Sequence, residues 1–480
     1  MKKSALLALA LLAPGIVLAA MPRSIALVIQ ENGNVQVSET HDIEPAGPDG
    51  LVRISPLPET LVATSVNATP ADRSDNLDIA AQRFAYDLRN DTTLFHAYVG
   101  ETITCHGEDD PVTGRLATLP DFTAPHPALM LEAAGQTVHY IPDIFALDSI
   151  EFPSRPALAR QPTLLWQLAA GQMPPPSVQL NYAATGISWS AAHEAILAED
   201  GRSFALASRV RIQNKTSRDF VNARVRLALT EKGLYTPLVP ATDDPRAAKP
   251  PALRYSADGA SWVPERLGAS AGIVATYDLP QALTLPAGGD VRAGLVTAPA
   301  VAAETRLVYD GVRFDRYQRN RRNDWNLGTE SASIVETRLT FQNTLPTPLP
   351  PGEFRLLRGR ADKTLDWIGT DWLPALKPGE SATINLGPAA GLTGRRLRTA
   401  YSDVVPFKVA EETFEITVEN QTATAQTVTV IEHFYRGDNH QITAASAEYT
   451  PGTAPHSIQF DVPVKPGSSQ SLTYTVRYTW

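Results

Sequence analysis

The chain has 480 residues, 43% of them hydrophobic, and a formal net charge of −9. That apolar content supports packed cores and excludes a disordered chain, while the acid excess argues against nucleic acid as a partner. A single cysteine, Cys105, excludes an internal disulfide, so stability must come from the cores.

The first twenty residues have the form of a secretory signal peptide. Lys2 and Lys3 are followed by an apolar run from Ser4 to Ala13, then Pro14-Gly15, then small residues suited to cleavage near Ala19 or Ala20. Without Lys2 and Lys3 the charge becomes about −11. The expected destination is the periplasm or the outside of the cell. No cysteine stands at the cleavage site, so a lipid anchor there is not expected. No later stretch approaches the ~20 apolar residues of a membrane-spanning helix.

From Ser24 to about Asn90, the runs IALVIQ, NVQVSE and LVRISP alternate and are separated by turn residues. Glu31-Asn32-Gly33-Asn34 is a hairpin signal, because Asn and Gly accept positive φ. Tyr98 to Phe152 reads as a second compact β unit, with strand–turn junctions at Thr113–Leu116 and Ala134–Thr137. Thr163 to Ala170, TLLWQLAA, lies between Pro162 and Gly171, and this framing predicts a short helix. Pro174-Pro175-Pro176 reads as a stiff spacer, and Asp243 to Pro251 as a polar, proline-rich soft segment.

The second half carries an internal echo. SRVRIQNKT, ETRLTFQNT and TFEITVENQT each end an alternating strand in asparagine, at Asn214, Asn343 and Asn420. Lys377-Pro378-Gly379 and Lys465-Pro466-Gly467 each precede a further strand. The last of these strands, SLTYTVRYTW, alternates without a fault. Alone it fits either a sandwich strand or the last strand of an outer-membrane barrel. Beside the Pro-Gly turns it reads as a sandwich strand, with Leu472, Tyr474, Val476 and Tyr478 facing the core and Arg477 and the threonines facing water.

With 39 prolines and 30 glycines punctuating short strands, the expected fold is mainly β. It comprises several antiparallel β-sandwich (immunoglobulin-like) and small β-barrel-like units, with few short helices. The expected segments are a signal at 1–20, an N-terminal β domain at 21–95, a small β unit at 96–160, a central β-rich region at 161–410 and a C-terminal sandwich unit at 411–480.

The order of AQRFAYDLRN, HAYVGETITC, PTLLWQL, VQLNYAATGISWSAAHEAIL, SRVRIQNKTSRDFVNARVRLAL, LPPGEFRLLRG and VPVKPGSSQSLTYTVRY resembles the bacterial domain-of-unknown-function 4139 family. The resemblance spans nearly all of the mature chain. It implies an exported β-rich protein and, by the family's name, no established activity, so it transfers no catalytic residue.

The motifs that could carry chemistry are weak. Gly268-Ala269-Ser270-Ala271-Gly272 matches a nucleophile elbow in letters, yet a strand rather than a helix follows it. Cys105-His106-Gly107-Glu108-Asp109-Asp110 bunches metal-ligand types without a second cluster, and reads better as an acidic turn beside a packed cysteine. Arg436-Gly437-Asp438 spells an adhesive tripeptide but reads better as a turn. The least bland segment is RFDRYQRNRRNDW. There Arg313, Arg316, Arg319, Arg321 and Arg322 interleave with aromatics including Tyr317 and Trp325. Guanidinium forks and aromatic faces make it a candidate docking site for an anionic envelope polymer, lipid headgroup or protein. The blander reading, a charged strand pair facing acidic neighbours, is favoured.

No cofactor motif is present. The leading expectation is a non-enzymatic envelope protein that binds a protein or surface polymer. The alternatives are a hydrolase of cell-wall or extracellular glycans, working through a carboxylate pair, and an outer-membrane β-barrel.

Overall fold

The structure is a computed structural model that describes residues 21–72, 76–108, 110–155, 158–230, 272–312, 326–360, 362–437 and 439–480. Strands make up 59% of it, with one α-helix and no closed barrel among the described residues. None of the described helices is long and apolar enough to cross a membrane. The expected mainly-β fold is what forms; the expected signal peptide lies outside the described residues.

The chain divides into two units. The first comprises Met1–Trp189, Ile212–Ala228 and Thr276–Val291. Its largest sheet runs in the order Ile273–Asp278, Phe220–Thr230, Ser24–Gln30, Asn34–Asp42, Ser177–Thr185, Asn67–Pro70. The first two chain segments form the expected hairpin, with Gly33 at φ +94° and the Asn34 amide donating to Asn32 Oδ1. Ile25, Leu27, Ile29, Val35 and Val37 alternate into the core, each no more than 4% exposed. A five-stranded sheet, Ser149–Glu151, Thr102–His106, Val112–Leu116, Leu129–Ala133, Thr137–Ile141, packs with the helix Asp91–Tyr98 around Phe95, Ile103, Cys105, Leu116 and Leu131. That helix starts on a reciprocal cap between Asn90 and Thr93, which satisfies backbone donors the first turn leaves open.

Two local expectations fail here. Thr163–Leu168 is a strand, not a helix: it is the middle strand of a three-stranded sheet between Val52–Ile54 and Ile79–Ala85. Thr163, Leu164, Leu165 and Trp166 are all buried, and the Trp166 indole donates to Gln82 Oε1 at 2.9 Å. A strand covered on both faces is a continuous apolar run, so periodicity cannot separate it from a buried helix turn. Gly114 also sits inside the strand Val112–Leu116 rather than at its end. A Cβ there would meet Leu131 Cβ at 2.8 Å, so the glycine permits a close strand approach.

The second unit comprises Ser190–Arg211, Leu229–Ala275 and Arg292–Trp480. Its sheet runs Leu365–Leu373, Gly352–Gly359, Ile187–Leu197, Ser203–Asn214, Asp290–Asp310, Ile334–Gln342, Ser381–Val405, Val409–Asn420, Ser468–Thr479, His440–Ala445. Gln426–His433 pairs with Ser457–Val464. One core holds Phe204, Leu206, Leu339, Phe341, Phe354 and Leu356. The other packs Val428, Val430, Phe460 and Val462 against Phe414, Ile416, Val418 and the closing strand, which makes that region a sandwich. Leu472, Tyr474, Val476 and Tyr478 are each at most 4% exposed, while Thr473 and Arg477 face out. The closing strand therefore faces a protein core, as expected from its alternation together with the Pro-Gly turns.

The asparagine echo is a repeated device. Asn420 Nδ2 donates to the carbonyls of Thr424 (2.8 Å) and Val464 (3.1 Å), and its Oδ1 accepts from the amide and hydroxyl of Thr422. Asn343 does the same with Thr347, Leu376 and the Leu345 amide. Asn214 does it with Arg218, Leu285 and Thr216. In each copy the distant carbonyl stands just before a proline turn whose glycine has positive φ, at Gly467, Gly379 and Gly288. The third turn, Pro286-Ala287-Gly288, lacks the Lys-Pro-Gly spelling. Each asparagine is at most 2% exposed and satisfies the buried carbonyls of Leu285, Leu376 and Val464 along with backbone groups of its own turn.

Candidate functional site

The arginine run, Arg313, Arg316, Tyr317, Arg319, Arg321, Arg322 and Trp325, lies outside the described residues, as do Gly268 to Ala271 and Asp109. Cys105 is a packed strand residue, 2% exposed, whose thiol is pushed up by burial. Beside it His106 Nε2 stands 3.4 Å from Glu151 Oε1. Among the described residues no group of three or more His, Cys, Asp and Glu side chains is placed to hold a metal. Arg436, the arginine of the tripeptide, is not presented to solvent. It is 2% exposed and donates to Glu412 Oε1 at 2.8 Å.

The buried charges of both units are organised as carboxylate–arginine–tyrosine clusters. In the first unit Glu39 accepts from Arg218 NH1 (3.0 Å) and NH2 (2.7 Å) and from the Tyr182 hydroxyl (2.9 Å). His41 Nε2 lies 2.9 Å from Glu39 Oε1, off the axis of a good hydrogen bond. Burial by itself would raise the Glu39 carboxyl; His41 and the Arg218 charge outweigh it and hold the group at about 2. Burial, reinforced by the Glu39 charge, pushes the Tyr182 hydroxyl well up, so it stays a donor.

In the second unit Glu432 Oε2 accepts from Arg396 Nε at 2.8 Å and from the Tyr474 hydroxyl at 2.6 Å. The Arg396 guanidinium carbon sits 3.7 Å from the centre of the Phe414 ring, and NH1 donates to the Gly328 carbonyl. Glu412 accepts from Arg398, Arg436 and the Tyr435 hydroxyl at 3.0, 2.8 and 3.1 Å. All three carboxylates are 0% exposed. A general acid or base must reach its substrate, and these groups are sealed in cores and neutralised by guanidinium. They are ion pairs closed within the cores, not a hydrolytic pair.

One further buried titratable group is His193. Its Nε2 lies 2.9 Å from the Pro350 carbonyl, which can only accept, so the proton is on Nε2. Nδ1 therefore accepts from the Ser208 hydroxyl at 2.8 Å. Burial holds this imidazole down at about 4, with the Pro350 contact acting the other way.

The surface feature that stands out is the outward face of the Gly352–Gly359 and Leu365–Leu373 hairpin. Trp367 and Trp372 are five residues apart, an odd spacing that would place them on opposite faces of a regular strand. Gly369 pairs with Leu356 and Trp367 with Leu357, so Ile368 is an extra residue: a bulge. The bulge brings Trp372, Thr370 and Trp367 onto the same face. Gly369 makes it possible, because a Cβ there would lie 2.6 Å from the Leu386 carbonyl oxygen of the neighbouring segment. Ile368 packs against the core behind.

Trp367 is 68% exposed, and its indole N–H donates to Thr370 Oγ1 at 3.0 Å. The polar edge of the ring is thus satisfied and pinned along the strand while much of the ring surface meets solvent. Leu365 is 48% exposed, and Trp372 is partly exposed. Across the hairpin Glu353, Arg355 and Leu357 point outward, opposite Trp372, Thr370 and Trp367. The next strand adds Glu194 beside Arg355 and Ile196 beside Leu357. Arg355 donates to Glu353 at 2.5 Å and Arg209 approaches Glu194 at 3.7 Å. The Glu353 hydrogen bond, with charge from Glu353 and Glu194, raises the Arg355 guanidinium further.

A search of curated proteins finds no match. The family profile described as "Domain of unknown function (DUF4139)" matches residues 178–480, well over half of the chain, and this span contains the asparagine staples, the buried Glu412 and Glu432 clusters and the tryptophan face. The chain belongs to the DUF4139 family.

Proposed function

We propose that this protein is an exported, non-enzymatic component of the cell envelope, and that its β-domains bind an envelope protein or surface polymer through the tryptophan face. The export reading rests on Lys2, Lys3, the apolar run and the small residues at 17–20. The observation that carries the binding reading is the pair Trp367 and Trp372, brought to one sheet face by a bulge, the first largely exposed and the second partly so. Large aromatic side chains are the usual anchors of binding surfaces, and a regular sheet face that merely meets water has no use for them. The arginine run Arg313–Arg322 would add an anionic contact, which charge reversal at Arg319, Arg321 and Arg322 tests.

The direct experiment is co-sedimentation of the full chain with envelope fragments. The unaltered protein is expected in the pellet, and the Trp367→Ala/Trp372→Ala variant in the supernatant with an unchanged circular dichroism spectrum. Equal pelleting of both would overturn the reading.

A further inference from the structure

Resting on that binding reading, we infer that the tryptophan face takes an uncharged, extended, β-linked pyranose chain. The positions opposite Trp367 and Trp372 on the neighbouring strand are Leu357 and Glu353. Four residues of strand separate them, roughly 13 Å. A single sugar ring cannot cover both indoles, whereas a chain laid along the strand meets each in turn. Indole faces carry negative charge density. They attract the polarised C–H groups that line a pyranose ring whose hydroxyls are equatorial. A β-1,4-linked chain of such rings is straight and ribbon-like, as a flat sheet face requires; an α-1,4-linked chain curls away.

The flanking charges select against other occupants. Glu353 with Arg355 and Glu194 with Arg209 are the ion pairs on that face, each of opposite charges. The Glu353–Arg355 pair between the two tryptophans offers an anionic polymer no net positive charge at the centre of the face. A protein partner would have to dehydrate the Glu353–Arg355 pair at the centre of the contact, at a cost its Coulomb attraction does not recover. Sugar hydroxyls leave the pair intact and make charge-assisted hydrogen bonds to it.

The test is titration of the full chain, by calorimetry and affinity electrophoresis, with cellohexaose, chitohexaose, their disaccharides and maltohexaose. Binding to one or both β-linked hexaoses is expected, with the disaccharides about 10-fold weaker or more. Affinity should be unchanged between about 0.1 and 1 M salt, where an ionic contact would fade. Trp367→Ala and Trp372→Ala should each weaken binding about 10-fold or more, the scale of ring stacking on an aromatic platform. Trp367→Phe should retain most of it, which separates loss of stacking from loss of fold. No binding of either β-linked hexaose at millimolar concentration overturns the inference, as does binding that ignores both tryptophans or equal binding of maltohexaose. If no hexaose binds while the double variant still loses envelope fragments, the glycan assignment fails and the binding reading stands. If the double variant keeps the fragments, the binding reading itself fails.

Discussion

Replacing Glu432 by glutamine should cost the fold about 3–5 kcal/mol, because it leaves a buried guanidinium without its anion. Both Glu432 and Arg396 side chains are 0% exposed and meet at 2.8 Å. Burial would depress the Arg396 guanidinium, and the Glu432 charge raises it well above its ordinary value instead; in Glu432→Gln the cation persists because an arginine side chain is not deprotonated in proteins. Arg396→Met strands the opposite charge and should cost a similar amount. The double change Arg396→Met/Glu432→Leu removes both charges and keeps most of the volume. It still leaves the Tyr474 hydroxyl and the Gly328 carbonyl without their partners, about 1–3 kcal/mol for each group. The double variant is therefore expected to cost less than the sum of the two single ones, with a coupling of about 4 kcal/mol at the middle of these ranges. Urea unfolding followed by tryptophan fluorescence and near-ultraviolet circular dichroism gives the three values, provided the slopes agree. Single variants within about 1 kcal/mol of the parent, or a double variant costing the sum of the two, would refute a sealed ion pair.

Asn420→Ala removes two donors and one doubly used acceptor, leaving the buried Val464 carbonyl and part-buried groups of the turn without partners, so it should lower stability by about 1–3 kcal/mol in thermal or urea unfolding. A loss below about 0.5 kcal/mol would mean that water replaces the staple. His193 sits at about 4 in the fold, below its ordinary value. The unfolded chain therefore binds the extra proton between those two points, and stability should fall as pH drops from about 6.5 to about 4, by up to about 3 kcal/mol. His193→Gln should flatten this slope, and identical slopes in both proteins would contradict the assignment. Glu39, held at about 2, adds stability that is present above the ordinary carboxylate range and is lost as pH falls from there toward about 2. Gly369→Ala should disturb the bulge and weaken envelope binding, because its Cβ would press on the Leu386 carbonyl.

Much of the architecture is legible in alternation. Ala410, Phe414, Ile416 and Val418 are buried in one phase of a strand, and Glu412 falls in the same phase. Glu39 and His41 likewise continue the buried phase of Val35 and Val37. A charge in an apolar phase is a readable mark of a buried cluster, although it does not name the partner: Arg218 is 179 positions from Glu39. The asparagines read as turns because their local bonds are two and four residues away; their second anchors, such as Val464 for Asn420, depend on tertiary pairing. Thr163–Leu168 misleads because a doubly covered strand has no period-two signal. The tryptophan face is hidden for the opposite reason. The spacing of Trp367 and Trp372 assigns them to opposite faces, and only the strand register exposes the bulge that reunites them.

The most direct test of the central claim uses the unaltered protein. Side-chain oxidative footprinting, with and without envelope fragments, reports the solvent access of each tryptophan at once. Binding through the Gly352–Gly359 and Leu365–Leu373 face is expected to protect Trp367 and Trp372, while exposed aromatics elsewhere, such as Tyr140 and Phe407, keep their labelling. Unchanged labelling of both tryptophans in fragment-bound protein would contradict the account.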